Sequence, residues 1–99
     1  MKTLSEIKQS LYAQLPYLKE KYGVVELGIF GSYSRNEQHD KSDVDIAVKF
    51  DDVNFPSLLG LVGMENYLSK ILEVKTDLAD MDTIKPRIRE RVFNDMIKL

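Results

Sequence analysis

Apolar positions along the chain alternate between helical and extended periods. Leu4, Ile7, Leu11, Leu15, Leu18 and Tyr22 recur at steps of three and four, which predicts a helix over 3–22. Thr3 and Glu6 have capping-box spacing at its start, and Gly23 is suited to its end. Pro16 interrupts the backbone bonding without shifting the stripe's phase, so a kink is expected rather than a split. Residues 24–30, VVELGIF, are apolar on both parities, as in a strand covered on both faces. A polar loop over 31–41, with room for one short helical turn, leads to a second strand over 43–50 and a turn over 51–56. A helix over 57–72 carries Leu58, Leu61, Met64, Leu68, Ile71 and Leu72 on one side. A third strand over 73–79 sets Val74, Thr76 and Leu78 on one face, and a loop over 80–85 follows. The last helix, over 86–99, takes Pro86 in its first turn and buries Ile88, Val92, Met96 and Leu99. The order αβ-β-αβ-α predicts an α/β fold: a small sandwich with a three-stranded mixed sheet flanked by helices.

At 99 residues the chain reads as a single domain, 1–99, with one modest core. It has no cysteine, which excludes disulfides and thiolate zinc sites and fits a reducing cytoplasm. No apolar run approaches the roughly 18 to 20 residues that span a bilayer. The opening MKTLSEIKQS has no apolar core of a secretory signal. A net charge of −2 argues against a general nucleic-acid coat, although local basic clusters remain possible. No repeat, low-complexity tract or linker is seen.

The chemistry concentrates in FGSYSRNEQHDKSDVDIAVKF, residues 30–50. Strand side chains alternate faces, so Asp43 and Asp45 point the same way, with Cα atoms about 6.5 to 7 Å apart. Val44, Ile46 and Val48 point into the core. Paired carboxylates repel unless a cation lies between them, and hard divalent ions with oxygen ligands suit that role. On the third strand Val74 and Leu78 must face the core, which turns Asp77 to the open side. If the strands are neighbours, three carboxylates meet on one face, as a two-metal phosphoryl-transfer site requires. Gly31 permits close backbone approach, and a helical turn beginning near Ser34 would aim N–H groups at an anion.

Other readings compete. The D-x-D pair could be solvated carboxylates at the frayed start of an edge strand. DKSDVDIAVKFD lacks the central Gly and final Glu of an EF-hand, and GIFGSYS lacks the spacing and Lys of a Walker A loop. GIFG matches a KH loop as a string only, since it lies inside a strand.

Together, GSYSRNEQHDKSDVDIAV, the flanking YGVVELGIFGS, the VKTDLAD strand and the basic KPRIRERV helix resemble the DNA polymerase β-like nucleotidyltransferase superfamily. The pattern G-S-x-x-R … S-D-x-D is similar to its minimal branch, the MNT partners of HEPN proteins in prokaryotic toxin–antitoxin pairs. That resemblance implies a nucleotidyltransferase fold and transfer of AMP from ATP to a protein hydroxyl. The implied acceptor is a tyrosine of a HEPN RNase toxin, silenced by the modification. It implies that Gly31 and Ser32 hold the triphosphate, with Ser42 also on the nucleotide side. Asp43 and Asp45 would ligate two Mg²⁺ ions, and Asp77 the catalytic one while helping to deprotonate the attacking hydroxyl. Arg35 would contact phosphate or brace the loop. Asn36 stands where the family commonly has Gly, and Asn also tolerates left-handed backbone. With all three carboxylates present, an inactive member is not expected. No residues remain for a second domain to grip the base or acceptor, so a stable hetero-oligomer with a helical partner is expected, with no direct nucleic-acid or membrane contact.

Other residues have plainer alternatives. Lys85, Arg87, Arg89, Arg91 and Lys98 could meet phosphates or an acidic partner, or form a solvated face with pairs such as Arg91–Asp95. Arg87 and Arg91 are the better functional candidates. His39 reads as a bystander. Tyr33 could stack on a base or cover the loop. Asp80 and Asp82 rival Asp77 but lie beyond the strand. Tyr12, Tyr17, Tyr22 and Tyr67 suit helix packing. Two further functions stay open: a non-catalytic module that neutralises its partner by occlusion, and a small-molecule nucleotidyltransferase.

Overall fold

The capping box closes. Thr3 Oγ1 accepts from the Glu6 N–H at 3.2 Å, and the Glu6 carboxylate accepts from the Thr3 N–H at 3.1 Å. From there α1 runs Leu4–Tyr22 in this computed structural model, which describes residues 2–53 and 55–99. The helix continues through Pro16 without splitting. Gly23 ends it at φ 72°, its N–H turned back to the Leu18 and Lys19 carbonyls. Ile7, Leu11 and Leu18 are fully buried, as the stripe predicts.

Strands β1, Val24–Phe30, and β2, Val44–Phe50, pair antiparallel. Asp43 therefore precedes β2 rather than opening it. Asn54, within the predicted turn, lies outside the described residues. Ser57 caps α2, Leu58–Leu72, by accepting from the Gly60 N–H. Glu73, at φ 58°, closes that helix, which delays β3 to Thr76–Asp80. Because α2 crosses over between them, β3 joins β2 in parallel. Met64, Leu68 and Leu72 are buried, but Leu58 and Ile71 of the predicted stripe are exposed. Helices α1 and α2 share one face of the sheet with Leu27, Ile29, Val44, Ile46, Val48 and Phe50. Tyr17, Tyr22 and Tyr67 cluster where the two helices meet, and the Tyr67 hydroxyl donates to Gln14.

The C-terminal segment differs from its sequence expectation. Helix α3 is Pro86–Asp95, and after Met96 the chain extends into β4, Ile97–Lys98, paired antiparallel with Gly28 and Ile29. The sheet thus has four strands in the order β3-β2-β1-β4. Gly28 makes this possible, because a methyl there would collide with the Met96 side chain. The extended backbone also lets the Leu99 N–H bond the Leu27 carbonyl at 2.9 Å while its side chain reaches the core. No described residue of α3 is fully buried, and Ile88 is 45% exposed. This helix lies over the sheet face that carries the carboxylates, against β1. Among the described residues no helix is long and apolar enough to cross a membrane.

Candidate active site

Register assembles the acidic cluster. Asp45 is the partner of Asp77 across the parallel β2–β3 pair and of Phe30 across β1–β2. Paired residues share a face, so Asp45 and Asp77 lie together opposite the helical layer, with Asp43 two residues before Asp45 on the same side. Burial and the charges of Asp77 and Asp43 push the Asp45 carboxyl above its usual range. Asp77 is also raised, first by burial and then by the charge of Asp43. Asp80, the rival, has the opposite parity, and its carboxylate accepts from the Asp82 N–H. Asp82 lies 4.0 Å from Lys49.

Gly31 binds the turn to the cluster. Its φ is 77°, and a methyl in place of its hydrogen would meet the Asp45 carboxylate, with Cγ at 3.1 Å. The Ser34 N–H and hydroxyl both donate to the Gly31 carbonyl, while the Arg35 and Glu37 N–H groups donate to that of Ser32. This is the expected short helical turn, and it stops at Asn36 with φ 57°. A turn of this kind presents its first N–H groups at its N-terminal end, here beside Asp45.

Arg35 braces. Its Nε is 2.6 Å from Glu37 and its Nη1 3.1 Å from Asp95 at the end of α3. Asp95 is thus tied to Arg35, not to Arg91 as i,i+4 spacing suggests. Arg91 lines a cavity of about 230 Å³ with Phe30, Gly31 and Arg35, whereas Arg87 does not. Arg35→Ala is expected to move Tm by about 2 °C or less, because the pairs are exposed. Thermal melts check this.

Ser42 holds the loop. Its hydroxyl accepts from the His39 N–H and its own N–H donates to the His39 carbonyl, both at 2.9 Å. The His39 ring accepts from the Lys41 N–H, a local role that fits a bystander. Tyr33 is 1% exposed and belongs to the core, so it anchors the loop from beneath rather than offering a face to a base. One residue escaped notice. Lys75 Nζ lies 3.8 Å from Asp43, and a cleft of about 740 Å³ beside it is lined by Lys2, Lys41, Ser42 and Asp43. Its signal was present in VKTD, where strand parity puts Lys75 on the face of Asp77.

Oxygen-rich chemistry on a shared face, with mutual repulsion that a cation would relieve, fits divalent metal. Among the described residues, however, no trio of His, Cys, Asp or Glu is already set at ion-holding spacing. A carboxyl with a raised folded-state pKa binds more protons folded than unfolded, so it destabilises at neutral pH and the penalty fades on acidification. Asp45→Asn without metal is therefore expected to raise Tm at pH 7 by a few degrees, for about 1 kcal/mol of relieved repulsion. The gap to wild type should close toward pH about 4. Melts across pH in a chelator check this.

A four-stranded mixed sheet with α1 and α2 on one face and an acidic cluster beside a glycine turn on the other defines a nucleotidyltransferase domain. The chain belongs to that family: residues 11–99 match the nucleotidyltransferase domain model. It is 47% identical over 98 residues to MJ0126 of Methanocaldococcus jannaschii, covering 98% of each chain. It is 40% identical over 97 residues to Protein adenylyltransferase MntA of Thermococcus cleftensis, covering 98% of this chain and 96% of that protein. The solved structure of a "putative minimal nucleotidyltransferase" superposes with TM-score 0.82 at 30% identity, over 99% of this chain and 97% of that one. A toxin–antitoxin crystal structure with AMP-PNP shares the fold at TM-score 0.70 and 24% identity, over 96% of this chain and 70% of that one. This protein is accordingly a nucleotidyltransferase enzyme.

Proposed function

We propose that this enzyme moves AMP from ATP to a hydroxyl of a partner protein, a tyrosine of a HEPN-type RNase toxin, and acts as its antitoxin. The observation that carries the reading is the register of Asp45 with Asp77 beside Asp43 and the Gly31 turn. Similarity to Protein adenylyltransferase MntA supports a protein acceptor, and toxin–antitoxin complexes of the same fold support the partner. Asp43 and Asp45 would hold two Mg²⁺ ions and Asp77 one of them, which would supply charge neutralisation at the phosphates. Backbone N–H groups of Gly31 and Ser32 hold the triphosphate, with Arg35 and Arg91 beside it. A carboxylate oxygen of Asp77 takes the proton of the attacking hydroxyl. The acceptor oxygen bonds the α-phosphorus as the α–β bridging P–O bond breaks, and pyrophosphate departs toward the turn. The far wall of the cleft would come from the partner, in a hetero-oligomer.

Incubation with α-labelled ATP, Mg²⁺ and the product of the adjacent reading frame tests this. Label should pass to that protein as its RNase activity falls. Neutralisation without label would favour occlusion instead.

A further inference from the structure

We propose that the protein acceptor docks along an apolar track that starts on the first turns of α2, crosses the β3 edge and ends at the carboxylates. Leu58 and Leu59 form its outer anchor. The inference rests on the reading of a protein acceptor and adds where that protein is held.

Large apolar side chains are concentrated at the outer end. Leu58 is 77% exposed and Leu59 83%, and Val62, one turn on, is exposed as well, as are Val53 and Phe55 of the preceding segment. The helix carries no charge from Leu58 to Met64, so nothing on it solvates this surface. Such a run is longer than scattered surface apolar residues require. It continues inward. A cavity of about 210 Å³ is lined by Leu58, Leu61, Val62 and Glu65, and it shares Leu78 and Asp80 with a second cavity of about 290 Å³. That second cavity lies under α3 among Phe30, Ala79, Ile84 and Ile88. Phe30 is the register partner of Asp45, and Ala79 follows Asp77 on the same face. The two cavities thus flank β3 and lead to the site.

In-line displacement gives the track its direction. The phosphate-binding turn follows β1, and Asp77 lies on β3, two strands away. If pyrophosphate leaves toward the turn, the attacking hydroxyl must arrive from the β3 side. The edge itself does not recruit a strand through these donors: the Thr76 N–H is taken by Ser69 Oγ at 2.9 Å and the Leu78 N–H by Glu65 at 3.0 Å. Side chains, not backbone, make the contact.

Charge selects the occupant. Glu65 and Asp80 line the inner groove, and the chain carries −2 overall. A second copy laid on this surface would bring carboxylate against carboxylate. A partner with an apolar ridge rimmed by Lys and Arg fits.

The test uses the full-length double variant Leu58→Asp/Leu59→Asp, titrated calorimetrically with the adjacent-frame protein and assayed with labelled ATP against that protein and against tyramine. Acidic residues in the first turn favour the helix dipole, so Tm should hold or rise. The Kd and the KM for the protein acceptor should rise at least about tenfold, with kcat and transfer to tyramine within about twofold. Unchanged Kd and KM overturn the proposal. A wild-type dimer in sedimentation that the variant abolishes, with partner affinity unaltered, also overturns it in favour of self-association. Partner binding lost in the variant while wild type labels neither acceptor upholds the docking surface and removes the transfer reading instead.

Discussion

Asp77→Asn is expected to abolish the proposed AMP transfer, by about 10³-fold or more in kcat, while the protein stays folded. Asn keeps the size of the side chain and removes both its charge and its capacity to take a proton. Asp77 sits at the start of an edge strand, raised in pKa by burial and by Asp43, so the native carboxylate is held at some cost. Removing it should leave the metal-free melting temperature unchanged or higher, which separates lost chemistry from lost fold. Asp43→Asn should behave alike. Its Lys75 contact at 3.8 Å is exposed and contributes little, so the loss of rate reports on chemistry. Rates with α-labelled ATP and Mg²⁺, beside melts in chelator, check both. A rate for Asp77→Asn above about a third of wild type would remove the third carboxylate from the chemistry. A drop in Tm would instead assign it a structural role.

Gly31→Val is expected to be nearly as damaging by a different route. At φ 77° a side chain costs about 1–2 kcal/mol, more for a β-branched one. The new Cβ would also fall on the Asp45 carboxylate and drive it off the face it shares with Asp77. Tm should fall by about 5 to 15 °C for a domain of this size. The rate should fall about 10²-fold, as for a reacting group displaced by about 1 Å. Gly28→Ala supplies the control. Its methyl would meet Met96 rather than a carboxylate, so Tm should drop with a much smaller change in kcat. Equal losses of rate in both variants would mean that the Gly31 turn matters only for stability.

Much of this was legible in the chain because it depends on local rules. Thr3 and Glu6 announce a capping box that forms, Gly23 ends α1, and strand parity alone puts Asp43, Asp45 and Asp77 on one side. Asn36 in the left-handed region also followed from residue type. Other features required neighbours distant in sequence. Whether Tyr33 faced solvent or core depended on the packing beneath the loop. Whether Asp95 paired with Arg91 or Arg35 depended on where α3 crossed the turn. Helical periodicity carried the last helix to residue 99, because MIKL reads equally as helix or strand until a free edge of β1 is there to pair with it. The exposure of Leu58 and Ile71 was similarly hidden, since a stripe shows which residues share a side but not how wide a surface awaits them.

The sequence alone determined α1, α2, the first three strands, the start of α3 and the face on which each carboxylate lies, since period and propensity act within a few residues. Only the tertiary structure decided which strands are neighbours and that Asp45 meets Asp77. It likewise decided that the chain closes with β4 and that an apolar track leads to the site. Those outcomes depend on side chains remote in sequence sharing one core and one set of backbone hydrogen bonds.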